Sequence, residues 1–149
     1  MNQVKVIYYG VLGFLSTAGA FIATLLGGWS AALQTLVVLM AIDYLTGVVC
    51  ALVFKRSTKS ANGAFESKAS LKGLFKKMFM LCGVWLAYQL DRVAGTVFMR
   101  EAIIFFFIGN DGLSIVENFG LMGVPLPAFV KNAFEALKKK GDTTETKAE

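Results

Sequence analysis

Residues 6–42 read VIYYGVLGFLSTAGAFIATLLGGWSAALQTLVVLMAI, a stretch without a single charged side chain. Only the Gly-Gly-Trp-Ser sequence at residues 27–30 interrupts its apolar character. The hydrocarbon core of a bilayer is about 30 Å thick, and roughly 20 apolar residues of helix cross it. The stretch therefore predicts two successive membrane crossings, at residues 6–26 and 31–54.

The composition of the whole chain agrees with a membrane protein, since 56% of its 149 residues are hydrophobic and the mean hydropathy is +0.61. Long apolar runs favour helices over barrel strands, in which apolar and polar residues alternate. The chain has no His, the commonest general base, and its two cysteines are far apart in sequence. We therefore expect no enzyme, no catalytic residue, no metal and no cofactor. The basic start and Ala18-Gly19-Ala20 also fit a cleavable signal peptide, but the apolar run continues to full spanning length, which favours an uncleaved anchor.

A basic loop follows the second apolar segment, with seven Lys and Arg and one acid within residues 55–77. Two further apolar segments, at residues 78–98 and 102–122, complete a predicted membrane domain of residues 1–127. With four spans, 13 of the 15 Lys and Arg fall on one side, which the positive-inside rule makes cytoplasmic. The sequence thus predicts an all-α membrane protein with four transmembrane helices and both termini cytoplasmic. A fourth segment that is re-entrant or lies flat is the alternative.

The C-terminal part is predicted to be an amphipathic helix at residues 128–140 and a disordered tail at residues 141–149. This helix either packs on the bundle or lies on the anionic inner leaflet. Its apolar face consists of Phe129, Val130, Ala133, Phe134 and Leu137.

Small residues recur at spacings of three and four along the first span, so that neighbouring helix backbones can approach closely there. This packing seam serves either the fold of one subunit or self-association between subunits. Its members are Gly13, Thr17, Ala20, Thr24 and Gly27.

The second span has a polar edge, because Thr35, Asp43, Thr46 and Cys50 fall within about 80° of arc. An ionisable group at this depth costs about 2.5–3.5 kcal/mol on insertion scales. Asp43 is therefore either a protonated or hydrogen-bonded packing residue, or it faces water or a partner charge in an assembly.

The fourth segment has a broader polar edge, spanning about 120° of arc. A helix surrounded by lipid could not tolerate it, so the segment lines a water-filled lumen, packs its polar edge inward or lies at the interface. The edge consists of Asn110, Asp111, Ser114, Glu117 and Asn118, and Asp91 in the third segment is added to these candidate pore positions.

The basic loop places Lys68, Lys72 and Lys76 at successive i, i+4 steps, followed by Lys77. This basic face is either solvated or in contact with lipid headgroups. Nucleic-acid binding is disfavoured, because the loop is tethered between spans and offers little aromatic stacking surface.

Five segments then form an ordered series of motifs over roughly residues 30 to 140. They are Asp43-Tyr44-x-Thr46-Gly47, Ser67-Lys68-x-Ser70-x-Lys72-Gly73-Leu74-x-Lys76-Lys77, Asp91, Asn110-Asp111-Gly112-Leu113-Ser114-Ile115-Val116-Glu117-Asn118 and Gly123-Val124-Pro125-Leu126-Pro127. This series resembles the toxin-secretion and phage-lysis holin family of Gram-positive bacteria and their phages. Asp111 departs from the Glu expected beside Asn110, and the first span matches only in hydropathy.

The resemblance implies a holin that oligomerises in the bacterial cytoplasmic membrane and opens holes there. An endolysin, or in some relatives a toxin, then passes through without specific binding. Two other classes fit the sequence: a small transporter or ion channel subunit that uses intramembrane carboxylates, and a structural membrane partner.

Overall fold

The computed structural model describes residues 2–55 and 67–146, and this part of the chain is helical without strands. The predicted all-helical fold is therefore confirmed for these residues. The helices are α1 (Gln3–Leu25), α2 (Ala31–Val49), α3 (Ser67–Ala94), α4 (Met99–Leu121) and α5 (Ala128–Thr146), and α2 continues into a π-helical segment, Cys50–Phe54.

Three helical stretches in the described part of the chain are long and apolar enough to cross a membrane: Gln3–Leu25, Ala31–Phe54 and Met99–Leu121. They correspond to the first, second and fourth predicted spans. The predicted third span, residues 78–98, falls in α3 and its following turn, and α3 is less apolar because lysines fill its first turns and Asp91 and Arg92 its last. The four-span arrangement therefore stays a prediction.

The turn between α1 and α2 is made by two glycines in the left-handed region, Gly27 at φ 89° and Gly28 at φ 92°. A Cβ atom at Gly27 would lie 2.6 Å from the ring of Tyr88, so the turn also needs a residue without a side chain. Ser30 then begins α2, and its Oγ accepts a hydrogen bond from the Leu33 amide at 3.1 Å.

Helices α2, α3 and α4 pack around one apolar core. Leu33, Val84 and Ile104 are fully buried at its centre, one from each helix. The remaining buried members of this core are Leu26, Leu36, Met40, Met80 and Ile108.

Helix α1 lies apart from this bundle and has no buried residue. The predicted seam residues Gly13, Thr17, Ala20 and Thr24 are exposed, and a Cβ at Gly13 would meet no atom within 4 Å. The hydroxyls of Thr17 and Thr24 donate to backbone carbonyls one turn earlier in α1. In the described part of one subunit, these four seam residues therefore stay on the surface.

Helix α5 packs against α4, so the structure shows the bundle-packed alternative for the C-terminal helix. A Cβ at Gly109 would lie 2.6 Å from the Lys138 amide nitrogen, and one at Gly112 would overlap the Phe134 ring. Beyond residue 140 the helix continues to Thr146, where a disordered tail was expected, and Gly141 is buried beside Ala102 and Phe106. The close approach of two backbones at a glycine explains the extension.

The predicted basic loop also differs from the structure, because α3 begins at Ser67. Residues 67–77 contain no proline and are mostly good helix formers, so they extend α3 at its N-terminal end. The first part of the loop, residues 56–66, lies outside the described residues.

Candidate functional site: a buried charge cluster between three helices

A lysine from α3 lies between two aspartates, one on α2 and one on α4. Lys77 Nζ is 2.6 Å from Asp43 Oδ2 and 2.6 Å from Asp111 Oδ2. The three residues are only 9%, 3% and 1% exposed, respectively. We call Asp43, Lys77 and Asp111 the charge cluster.

Two neutral side chains extend the charge cluster along α2 and α4. The Asn118 amide donates to Thr46 Oγ1 at 3.0 Å and to Asp43 Oδ1 at 3.4 Å. The Thr46 hydroxyl donates to the Asp43 backbone carbonyl at 3.2 Å. Asp43 is therefore bound by α3 and α4 at once, and its two carboxylate oxygens have different partners.

A second polar contact joins α2 to α3, between Tyr44, which follows Asp43 in sequence, and Ser70, which lies seven residues before Lys77. The Tyr44 hydroxyl and the Ser70 hydroxyl are 2.6 Å apart. Ser70 and Lys77 are two turns apart on α3, so this contact lies toward the end of the bundle where α3 begins. The helices are thus held together by polar contacts over a length of about 10 Å.

The charge cluster has a formal charge of −1, from two carboxylates and one ammonium. Ions removed from water are tolerated only when they are paired and hydrogen bonded. Removing one partner of a buried pair typically costs about 3–5 kcal/mol, because the other charge is left uncompensated. The cluster therefore holds three helices together only while all three side chains are in place.

The structure brings together four of the residues predicted as a polar edge: Asp43, Thr46, Asp111 and Asn118. For α4 it thus shows the alternative in which the polar edge packs inward. The other members do not join the cluster: Asn110 and Ser114 are half-buried, and Glu117 is exposed.

Lys77 was expected to contact lipid headgroups, and the structure places it inside the bundle instead. Lys68, Lys72 and Lys76 are exposed as a basic face. Lys77 is one residue out of that i, i+4 series, which turns it by about 100°. The buried residues of α3 are Lys77, Met80, Val84, Ala87 and Asp91, at spacings of three and four. Lys77 is thus in register with apolar residues of one helix face, and this spacing was the signal in the sequence.

Asp91 lies at the opposite end of α3 from the charge cluster, where it binds the first turn of α4. Its Oδ1 accepts from the Thr96 hydroxyl at 2.6 Å and from the Met99 amide at 3.1 Å, and its Oδ2 accepts from the Arg100 amide at 2.8 Å. A carboxylate at a helix N-terminus satisfies free amides and complements the helix dipole. Asp91 therefore fixes the turn between α3 and α4, well away from Asp43.

The side chain of Arg100 joins that turn to the turn after α1. Its Nε donates to the Leu26 carbonyl at 2.6 Å and a terminal nitrogen donates to the Gly28 carbonyl at 2.7 Å. The other terminal nitrogen is 2.8 Å from Glu101 Oε1. We use the name turn junction for Asp91, Arg100 and the turn at Leu26–Gly28. Gly27, which was predicted as a seam residue, belongs to the turn junction.

The charge cluster and the turn junction join helices to one another through paired charges and hydrogen bonds, so their side chains are engaged with one another and not with a substrate. In residues 2–55 and 67–146, no three His, Cys, Asp or Glu side chains are placed to hold a metal ion.

Comparison with known proteins gives one family. The model of the bacteriophage holin family matches residues 20–139 of the chain. An uncharacterised 14.9 kDa protein of Clostridium perfringens is 34% identical over 93% of this chain and 98% of its own length. An uncharacterised protein of Halalkalibacterium halodurans is 37% identical over 80% of this chain and 87% of its own.

A relative with a functional name comes from a bacteriophage. A probable holin of Bacillus phage phi105 is 30% identical over 74% of this chain and 76% of its own length. No solved structure matches the chain. The family match includes both aspartates and the lysine of the charge cluster, as well as the turn junction and most of α5. The chain, a helical membrane protein, therefore belongs to the bacteriophage holin family.

Proposed function

We propose that the chain is a holin, which oligomerises in the bacterial cytoplasmic membrane and opens holes that release an endolysin or a toxin. The observation that supports this most strongly is the charge cluster, because it lies between helices of a chain that belongs to the holin family. Charges of this kind are stable in a closed bundle and are also stable in water. They are unfavourable in lipid, so a subunit can move between a closed form and a water-lined form but not to a lipid-exposed one.

In the closed form, Lys77 neutralises Asp43 and Asp111 between α2, α3 and α4. Opening separates these helices and exposes the polar edges of α2 and α4 to water. A membrane potential acts at about 2.3 kcal/mol per elementary charge per 100 mV. Helices that carry these charges part of the way across the field would therefore respond to energisation of the membrane.

Self-association uses the seam on α1. The exposed small residues Gly13, Thr17, Ala20 and Thr24 leave room for a second helix backbone. In lipid, close packing along such a seam is what drives helix association. Because α1 has no buried residue in one subunit, its surface is available to another copy without unfolding the bundle.

The basic face of α3 sets the orientation. Lys68, Lys72 and Lys76 are exposed at the end of α3 that follows the basic loop. Each Lys near an anionic leaflet contributes about 1 kcal/mol of attraction. This end of the bundle, together with the N-terminus, therefore lies at the cytoplasmic surface.

The proposal predicts release of a large cytoplasmic protein. When the gene is induced in bacteria that contain a cytoplasmic reporter enzyme, we expect the membrane potential to collapse suddenly and the enzyme to appear in the medium. The measurement follows a potential-sensitive dye and enzyme activity in the medium together. An uncoupler added to cells without the gene is the control, and it should depolarise them without releasing enzyme.

Two other results would contradict the holin proposal. Flux of small solutes or protons without escape of the enzyme would indicate a transporter or channel subunit. Neither depolarisation nor release, from a protein shown to be present in the membrane, would indicate a structural partner.

A further inference from the structure

The packing of α5 places it beside the middle of a membrane-spanning helix. Gly109 and Gly112 flank the midpoint of α4, and they are the positions at which Phe134 and Lys138 approach most closely. Gly141 contacts Ala102 and Phe106, so α5 runs antiparallel to α4 toward the end at which α4 begins. If α4 crosses the bilayer, residues 131–142 of α5 therefore lie within its hydrocarbon depth.

The face of α5 that points away from α4 is strongly polar at this depth. At 100° per residue, six polar positions share about 120° of arc. None of these positions is buried, and Lys131 remains 60% exposed even though Glu135 lies 3.9 Å from it. Asp142 lies at the margin of the arc, where it borders a cavity together with Ala102, Ile103 and Phe106 of α4. We call this set the polar arc; it consists of Lys131, Asn132, Glu135, Lys139, Asp142 and Thr143.

Lipid is not a suitable neighbour for the polar arc. Ionisable side chains at bilayer depth pair with one another, face the interior of a bundle or face water. The bundle interior is excluded here, because the opposite face of α5, with Phe134 and Leu137, contacts it. Lys131 and Glu135 lie 3.9 Å apart, but their side chains stay 60% and 44% exposed, so pairing does not remove them from their surroundings. Water enclosed by several subunits is the remaining environment.

We propose that the polar arc of α5 faces the water in the hole, so that α4 and α5 together form part of its wall. This inference rests on the proposed holin function and adds the residues that touch the water path. The apolar edge of α5, with Phe129 and Ala133 exposed and Lys140 between them on the same side of the helix, then faces a neighbouring subunit. In this arrangement α5 ends near the outer surface, which replaces the cytoplasmic C-terminus expected from the charge distribution.

The inference predicts a pattern of chemical accessibility along α5. Single cysteines are introduced at Asn132 and Lys139 in the polar arc and at Ala133 on the apolar edge, in a chain with Cys50→Ala and Cys82→Ala. A charged, membrane-impermeant thiol reagent is added to intact cells in which escape of the reporter enzyme is followed. Once the enzyme escapes, we expect positions 132 and 139 to react at least tenfold faster than position 133.

Two results would overturn the inference while leaving the holin function intact. One is similar reactivity at positions 132, 133 and 139 in cells that release the enzyme. The other is full reaction of positions 132 and 139 in inside-out vesicles before any hole opens, which would place α5 flat on the inner leaflet. Failure of every variant, and of the parent chain, to release the enzyme would instead overturn the holin function and the water path with it.

A matched pair of glycine variants tests whether the accessibility pattern depends on packing against α4. Gly112→Leu would force a side chain into Phe134, whereas at Gly120 on the same helix an added Cβ would meet no atom within 4 Å, so Gly120→Leu is the matched control. We expect the tenfold difference between positions 132 and 133 to disappear with Gly112→Leu and to persist with Gly120→Leu. Persistence in both variants would show that α5 does not need α4 for its orientation, contrary to the inference.

Discussion

Replacing Lys77 with methionine should lower the free energy of unfolding of the helix bundle by about 3–5 kcal/mol. The substitution keeps the length of the side chain but leaves Asp43 and Asp111 without the ammonium that lies 2.6 Å from each of them. Two carboxylates that face each other without a cation repel, and burial adds to the cost. Titration of the protein in bicelles with a denaturing detergent, followed by circular dichroism, measures this change.

Two further variants separate the charge from the side chain. Lys76→Met removes a neighbouring exposed lysine and should change the unfolding free energy by less than about 0.5 kcal/mol. The triple variant Asp43→Asn, Lys77→Met, Asp111→Asn removes all three charges and should recover most of the stability lost by Lys77→Met, as neutral groups replace the unpaired ones. Equal effects of Lys77→Met and Lys76→Met would contradict the buried cluster.

Replacing Arg100 with glutamine should detach α1 from the rest of the bundle and cost about 3 kcal/mol. This figure comes from two hydrogen bonds with a charged donor, to the carbonyls of Leu26 and Gly28, at about 1.5 kcal/mol each. About 1.5 kcal/mol is the lower end of what a hydrogen bond with a charged partner typically contributes. Since α1 has no buried residue, the turn junction is its main attachment to the bundle.

Spin labels on exposed residues of α1 and α3, at Leu15 and Leu90, report this detachment. We expect the distribution of distances between them to broaden in Arg100→Gln. Arg92→Gln is the matched control, since Arg92 is exposed, donates to Gln89 on its own helix at 3.3 Å and lies over the Tyr88 ring, also on that helix. An unchanged distribution in Arg100→Gln would mean that the junction does not hold α1.

The fold could be predicted where hydropathy alone decides it. The uncharged stretch at residues 6–42 predicts two apolar helices of spanning length, and the structure has α1 and α2 there. Asp43 and Asn118 could likewise be identified as residues that need a polar partner, because polar groups in an apolar helix are unfavourable without one. The sequence did not tell which partners they have, since both lie on other helices.

The role of Lys77 illustrates this limit. A lysine beside three others reads as part of a basic surface, and only the stripe of buried positions on α3 distinguishes it. Nothing in the sequence around Arg100 indicates its partners either, because it binds carbonyls more than 70 residues earlier in the chain. Long-range pairs of this kind depend on the register between helices, which no periodicity within one helix contains.

The position of α5 could not be predicted from the sequence for a related reason. Its amphipathic pattern fits equally a helix on a membrane surface and one on a bundle. The choice depends on Gly109 and Gly112, where α5 approaches α4 closely. The sequence of α4 alone does not show that another helix packs against these two glycines. Gly141 looked like the start of a tail for the same reason.

The central claim is that polar edges which are closed in the resting subunit open to water when the hole forms. Cys50 tests it directly, because this native cysteine is wholly buried on the same edge of α2 as Asp43. In a Cys82→Ala chain, a membrane-impermeant thiol reagent should leave Cys50 unmodified while the membrane potential is held. It should modify Cys50 as the reporter enzyme escapes. Modification at the same rate before and after escape, or none after it, would contradict the account.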